Sequence, residues 1–280
     1  MKLLQFGAPG AERAGRLEPD GTLRDLSGVC ARLDGAALGD LERLRRLNAR
    51  DLPPVSGSPR IGPCVSRPGK FVCIGLNYAD HARETGLPIP QEPVVFMKAT
   101  SAICGPYDDV IIPRNSTRTD WEVELGVVIG REARYVTPAA AAACIAGYCV
   151  VNDVSERAFQ LERGGQWVKG KSCDHFGPIG PWLVTPEEIP DPAALRIWLE
   201  VDGHRYQDGS TATMIFRPPY LVSYLSQFMR LEPGDLIATG TPPGVGLGQK
   251  PPVFLRPGQR MRLGIDGLGE QRQDVVACEP

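Results

Sequence analysis

The chain has 280 residues, 42% of them hydrophobic and 23% charged, with a formal net charge of -2. That length can bury a large core, and the near-balance of charge argues against nucleic acid or an anionic membrane as the main partner. No run approaches the ~20 apolar residues of a membrane helix, and Met1-Lys2-Leu3-Leu4-Gln5-Phe6-Gly7 lacks the apolar core of a signal peptide, so a cytoplasmic protein is expected.

Eight cysteines lie among apolar neighbours without a Cys-x-x-Cys pair, which favours buried free thiols over disulfides or a zinc site. The 32 Gly and 27 Pro predict many short strands and tight turns. Met1 to Phe6 reads as a strand, Asp20-Gly21-Thr22 as a turn, and Leu38 to Asn48 as a short helix with a basic run, Arg43, Arg45 and Arg46. Asp40 and Glu42 beside that run favour a solvated face over a nucleic-acid patch. Residues 51–69 carry five prolines and three glycines and read as an extended connection. A small N-terminal domain with its linker over 1–69 and a main domain over 70–280 are therefore expected.

Lys70 to Gly75 is a short apolar strand, followed by a helix that Asn77 can cap and Gly86 can end. There His81 and Glu84 stand at i and i+3, where a carboxylate can orient an imidazole and raise its basicity, the arrangement a general base for water requires. The same spacing also fits a plain exposed helical pair. Pro93 to Lys98 and Val110 to Ile112 are further strands, leading into Asp120-Trp121-Glu122-Val123-Glu124-Leu125. Here Trp121, Val123 and Leu125 alternate with three acids that project from one face, ~7 Å apart. Such a row repels itself unless a cation or water intervenes, so it reads either as a divalent-metal site or as an edge strand with a wet acidic face.

Thr137-Pro138 begins a plain helix through the alanines 139–143. Ile145 to Val151 is an apolar run ending in Asn152-Asp153, and Asp153 could join Glu122 and Glu124 in an oxygen-only site suited to Mg²⁺ or Mn²⁺. Its competing role is N-cap of a helix over Val154 to Glu162, from which Arg157 and Gln160 lean toward the same place. Gly165 to Ser172 matches a phosphate-loop pattern, but a helical stretch precedes it and Gly177-Pro178-Ile179-Gly180-Pro181 follows soon after, so nucleotide binding is rejected. Lys171 reads as a cation for an anionic substrate or enolate, or as a surface lysine. The remainder reads as antiparallel hairpins, with one helix over Leu221 to Met229 and a glycine-rich loop at Gly240 to Gly248.

Taken in order over about residues 70 to 280, Ile74-Gly75-Leu76-Asn77-Tyr78 with His81 and Glu84, Asp120-x-Glu122-x-Glu124-Leu125, Asn152-Asp153 with Arg157 and Gln160, Gly170-Lys171-Ser172-x-Asp174, and Ala238-Thr239-Gly240-Thr241-Pro242 resemble the fumarylacetoacetate hydrolase family. The resemblance implies a mixed, β-rich α+β fold, a β-sandwich roll with a small N-terminal α+β domain, and a homodimer. It implies Mg²⁺ or Mn²⁺ held by Glu122, Glu124 and Asp153, a water-activating dyad of His81 and Glu84, an oxyanion-stabilising Lys171, and substrate contacts from Arg157, Gln160 and Thr241. Ala99 departs from the family pattern, where proline commonly follows the lysine that is Lys98 here. Asp153 to Gln160 and Arg163 to Trp167 look closest to the sugar-acid branch, the 2,4-diketo-3-deoxy-L-rhamnonate or L-fuconate hydrolases, often named ureidoglycolate lyases. The expected reaction is metal-dependent C–C hydrolysis of such a 2-oxo acid to pyruvate and a hydroxy acid such as L-lactate. Oxaloacetate decarboxylation or acylpyruvate hydrolysis is the alternative, with ureidoglycolate lyase and a non-catalytic sugar-acid binder further behind.

Overall fold

The computed structural model describes residues 1–85 and 88–279; the side chains of His81, Ala82 and Thr85 lie outside that description, as does the expected helix stop at Gly86. Two sheets dominate. The larger, 11-stranded, runs Leu23–Asp25, Arg13–Leu17, Lys2–Phe6, Gly177–Val184, Ile145–Asn152, Val123–Ile129, Leu236–Ala238, Phe71–Gly75 and Val94–Lys98, with two short strands paired off this path. The smaller has five strands: His204–Ser210, Arg196–Val201, Arg260–Ile265, Gly269–Ala277 and Val110–Ile112.

The side-chain period of two explains how the sheets are filled. On Val123–Ile129, the odd residues Val123, Leu125, Val127 and Ile129 enter a core shared with Ile197, Leu199, Met261 and Leu263 of the smaller sheet. Val128, on the other face, enters a second core with Leu3, Leu38, Leu44, Cys149 and Leu183. Gly126 on that face gives the neighbouring strand room, since a Cβ there would lie 2.7 Å from Val151 and 2.8 Å from the Cys149 sulfur. The acidic stretch is thus central and covered on both sides, and the wet edge strand expected as one reading is not what forms. The ladder also breaks: Thr119–Asp120 pairs with Ser155–Glu156, and only from Val123 does the chain join the large sheet.

The N-terminal strands join the large sheet through Lys2–Phe6 against Gly177–Val184, so the 1–69 segment shares both sheet and core with the rest. Several local expectations shift for identifiable reasons. The N-terminal helix shortens to Leu41–Arg45 because Asp40 caps it, and Arg45 pairs with Glu42 and Glu187, as on a solvated face. Asn77, expected as a helix cap, has its buried amide donating to Phe216 O and Thr239 O and accepting from Phe216 N–H. The helix expected from Val154 begins at Arg157, after the bridge Ser155–Glu156, and its N-cap is Glu156 rather than Asp153. All eight thiols are free, five of them buried. No helix among the described residues is long and apolar enough to cross a membrane.

Candidate active site

Glu122, Glu124 and Asp153 come together at the ends of the two central strands. Each offers a carboxylate oxygen, and the three oxygens lie within 4.8 Å of one another in buried surroundings. The backbone sets this up: Asp153 N–H donates to Glu122 O at 2.8 Å, which fixes the two residues side by side where the ladder Val123–Asn152 ends.

Three buried cations answer these acids. Lys171, expected either here or on the surface, is 1% exposed, and its ammonium donates to Glu122 Oε2 and Asp153 Oδ2 at 2.6 Å each. Gly170 lets its short helix press in, since a Cβ there would lie 2.4 Å from Glu156 O. Arg157 donates from Nη2 to Glu122 Oε1 at 2.7 Å and from Nη1 to Gln160 Oε1 at 3.0 Å, so both residues do reach the site. Lys98, to which sequence reasoning gave no role, is buried with its ammonium on Asp153 Oδ1 and, at 3.0 Å, on Val154 O. Its signal was the alternation Val94, Phe96, Lys98, which places the lysine on the same inward face as Phe96.

Asp120, on the same face as the two glutamates but without a role in the resemblance, is fully buried behind the site. It accepts from Trp121 N–H (2.8 Å), Gly246 N–H (2.6 Å), Leu247 N–H (2.9 Å) and Arg157 Nε (2.8 Å). One carboxylate therefore ties a loop of the rim to the arginine that grips Glu122.

Electrostatics separates the two glutamates. Burial works to raise the Glu122 carboxyl, but Lys171 and Arg157 outweigh it and hold it well below the ordinary range. Glu124 goes the other way: burial, then the charges of Asp153 and Glu122, push it well above. One of its oxygens, Oε2, accepts from Gly240 N–H at 2.7 Å. Gly240 adopts φ +96°, and a Cβ there would lie 2.8 Å from Asn77 Cβ, so the backbone approaches only because the side chain is absent. Lys171 stays charged, since Asp153 and Glu122 overcome its desolvation. An oxygen-only donor set suits a hard divalent cation, and such a charge would stabilise an ionised Glu124, so the residues present fit Mg²⁺ or Mn²⁺.

Glu122, Glu124, Arg157, Gln160 and Lys171 line a cavity of about 480 Å³. Glu84 lies on its rim, where its carboxylate accepts from Gly244 N–H at 3.2 Å, and the His81 side chain falls outside the described residues. Thr241 also lines it, with its hydroxyl donating to Val123 O and accepting from Gln207 Nε2, both at 2.8 Å. Much of the remaining wall is apolar, with Gln249 and Lys250 as its polar members. Phe96 and Trp167 meet edge to face at 5.2 Å, and Leu161, Val245 and Leu247 continue it. A larger groove of about 980 Å³, beside Arg60, Asp108 and His175, includes none of the candidate residues.

This arrangement can be set beside known proteins. A Burkholderia multivorans protein provisionally named a hydrolase is 63% identical over 276 residues, covering 98% of each chain. The fumarylacetoacetate hydrolase of Exiguobacterium antarcticum has a similar structure, with TM-score 0.88, 34% identity, and 99% of this chain and 100% of that one covered. Maleylpyruvate hydrolase from Sphingobium sp. SYK-6, solved with manganese(II) and pyruvate, aligns at TM-score 0.84 and 28% identity over 100% of both chains. The family model described as fumarylacetoacetate (FAA) hydrolase, C-terminal, matches residues 70–276, and the chain belongs to the fumarylacetoacetate hydrolase family.

Proposed function

We propose that this chain is a divalent-metal-dependent hydrolase that cleaves the C3–C4 bond of a 2,4-dioxo acid, giving pyruvate and a second carboxylic acid. The observation that carries this reading is the buried trio Glu122, Glu124 and Asp153, its oxygens within 4.8 Å, with Lys171 bonded to two of the three. When bound, Mg²⁺ or Mn²⁺ held by that trio would supply Lewis-acid polarisation of the 2-oxo acid end. The Sphingobium relative, solved with manganese(II) and pyruvate, supports the same pairing of ion and product class.

The chain's own groups account for the remaining steps. In the dyad that the resemblance assigns to His81 and Glu84, a proton passes from water to the imidazole, and the water oxygen adds to the C4 carbonyl. The C3–C4 bond then breaks, its electron pair passing to C3 as a pyruvate enolate, while C4 leaves as a carboxylic acid. Lys171 is the nearby charge-stabilising donor for the enolate oxygen, and return of a proton to C3 completes pyruvate. Arg157 stiffens the wall by holding Glu122 and Gln160 in place.

Two tails beyond C4 remain in play. The segments 153–160 and 163–167 favour the 2,4-diketo-3-deoxy sugar acid of the L-rhamnonate or L-fuconate type. The wall favours an acylpyruvate, because Phe96, Leu161 and Leu247 offer a tail apolar contact alone, and the Thr241 hydroxyl already has two partners. Pyruvate release is measured with the sugar-derived diketo acid, an acylpyruvate and oxaloacetate, each with Mg²⁺ and with EDTA. Absence of metal-dependent pyruvate from every dioxo acid sinks the reading. A homodimer, with a small 2-oxo acid rather than nucleic acid or membrane as partner, belongs to the same proposal and is checked by light scattering.

A further inference from the structure

Three lysine or arginine side chains line the cavity, and they differ in kind. Arg157 and Lys171 are buried and bonded to carboxylates. Lys250 is exposed, and among the described residues no acid pairs with it. Exposed lysines are ordinary, but this one lines a cavity whose other two cations are already engaged by carboxylates, so among the described residues its ammonium is the one left to meet a ligand's charge. Its backbone is also anchored nearby: Gly246 and Leu247 N–H groups donate to the buried Asp120, and Gly248 packs against Glu84, where a Cβ would lie 3.2 Å from the carboxylate. Along the wall, Trp167 rests on Gly75, whose added Cβ would lie 2.8 Å from the indole.

We propose that Lys250 is a specificity-determining residue, selecting 2,4-dioxo acids whose tail ends in a second carboxylate. This rests on the hydrolase reading above and deepens it. The carbons between C4 and the tail carboxylate lie on the apolar face of Trp167, Phe96 and Leu247, and the terminal charge meets the unpaired ammonium at the mouth. A tail of the same length ending in methyl leaves that ammonium in water. Deeper in, Arg157 and Lys171 are already engaged by Glu122 and Asp153, so the mouth is where a second carboxylate meets an unpaired cation.

Succinylpyruvate (2,4-dioxoheptanedioate) and butyrylpyruvate (2,4-dioxoheptanoate) have equal chain lengths and differ at C7 alone, as carboxylate or methyl. The wild-type protein is expected to favour the diacid in kcat/KM, and Lys250→Gln to reduce that preference about 3- to 10-fold, mainly through KM. Lys250→Arg keeps most of it, Lys250→Glu lowers it further, and salt weakens it in the wild type. A wild-type preference at or below one, or a preference unchanged in Lys250→Gln, overturns the inference while leaving the hydrolase reading intact. If neither of these two acids yields pyruvate, the hydrolase reading is judged by the sugar-derived diketo acid, and the selection is read from binding. Thermal shifts of the Mg²⁺-supplemented protein are then compared for 2-oxoadipate and 2-oxohexanoate. A larger shift with the diacid that shrinks in Lys250→Gln supports the selection, and equal shifts overturn it.

Discussion

Replacing Lys98 with Met removes a buried cation while keeping a stem of similar length. The lysine side chain is fully buried, so its loss leaves Asp153 with Lys171 as its remaining cationic partner and Val154 O without its 3.0 Å donor. Breaking a buried pair by removing one partner costs about 3–5 kcal/mol, and the lower half applies here because Lys171 still neutralises Asp153. For 280 residues the entropy of unfolding is about 0.6 kcal/mol per degree, which turns about 3–4 kcal/mol into a fall in Tm of about 5–7 °C. Divalent cation should recover part of this. The variant carries one less positive charge beside Glu124 and Asp153, so MgCl2 or MnCl2 is expected to raise its Tm by more than it raises that of the wild type. Calorimetry in EDTA and in excess metal measures both shifts. A variant within about 1 °C of wild type in EDTA, or a metal-induced rise no larger than the wild type's, would refute the assignment of Lys98 as the charge that holds Asp153.

Glu124→Gln should abolish Mn²⁺ binding in calorimetric titration, whereas Asp120→Asn should leave metal affinity within about threefold; equal losses would show that Asp120 is not confined to bracing the rim and Arg157. The same Asp120→Asn variant points an amide N–H₂ at backbone donors, so it should lose about 2–4 kcal/mol in urea unfolding and raise KM more than it lowers kcat. Burial works to raise the Glu187 carboxyl, but hydrogen bonds from Arg45 and Thr185 outweigh it and hold it at about 2, below the ordinary 4.5. Its contribution to stability is therefore full above pH 4.5 and lost as pH falls toward 2. The stability gap between wild type and Glu187→Gln should accordingly be constant from pH 8 to 5 and close below about 4.5, as pH-dependent urea unfolding will show. Of the eight thiols, the exposed Cys278 should react first with Ellman's reagent at pH 8; burial pushes the Cys173 thiol up to about 11, so it should lag, and faster labelling of Cys173 would contradict its placement.

The acidic trio and Lys171 were legible because chemistry-bearing residues kept a readable spacing: alternation put Glu122 and Glu124 on one face, and an apolar run ended at Asp153. Whether that face met water was not legible, because burial depends on which strands flank Val123–Ile129, and those neighbours include residues 236–238, more than a hundred positions away. The role of Lys98, and the choice for Asp120 between a brace and a surface charge, escaped for the same reason. Their partners, Asp153 and the backbone of Gly246 and Leu247, are distant in sequence, and neither residue carries a local pattern that distinguishes a brace from a surface charge. The cap assignment at Asp153 failed more locally, since the bridge from Ser155 to Asp120 held the chain extended for two residues before the helix could start.

The strand order has a consequence for how the molecule assembles. Glu122, Glu124, Asp153 and Lys171 fall within 50 consecutive positions, and the antiparallel ladder of Val123–Ile129 with Ile145–Asn152 closes a loop of modest length. The rim is different: Gly240, Thr241 and the Asp120-bound loop follow Leu236–Ala238, whose parallel partner Phe71–Gly75 lies about 160 residues earlier. Loop-closure entropy grows with that separation, so the acid-bearing half can collapse early while the half that shapes the cavity waits on a long-range parallel pairing. A refolding chain thus gathers its repelling carboxylates before it has walls around them, and divalent cation in the buffer is placed to act on the folding rate as well as on the finished protein.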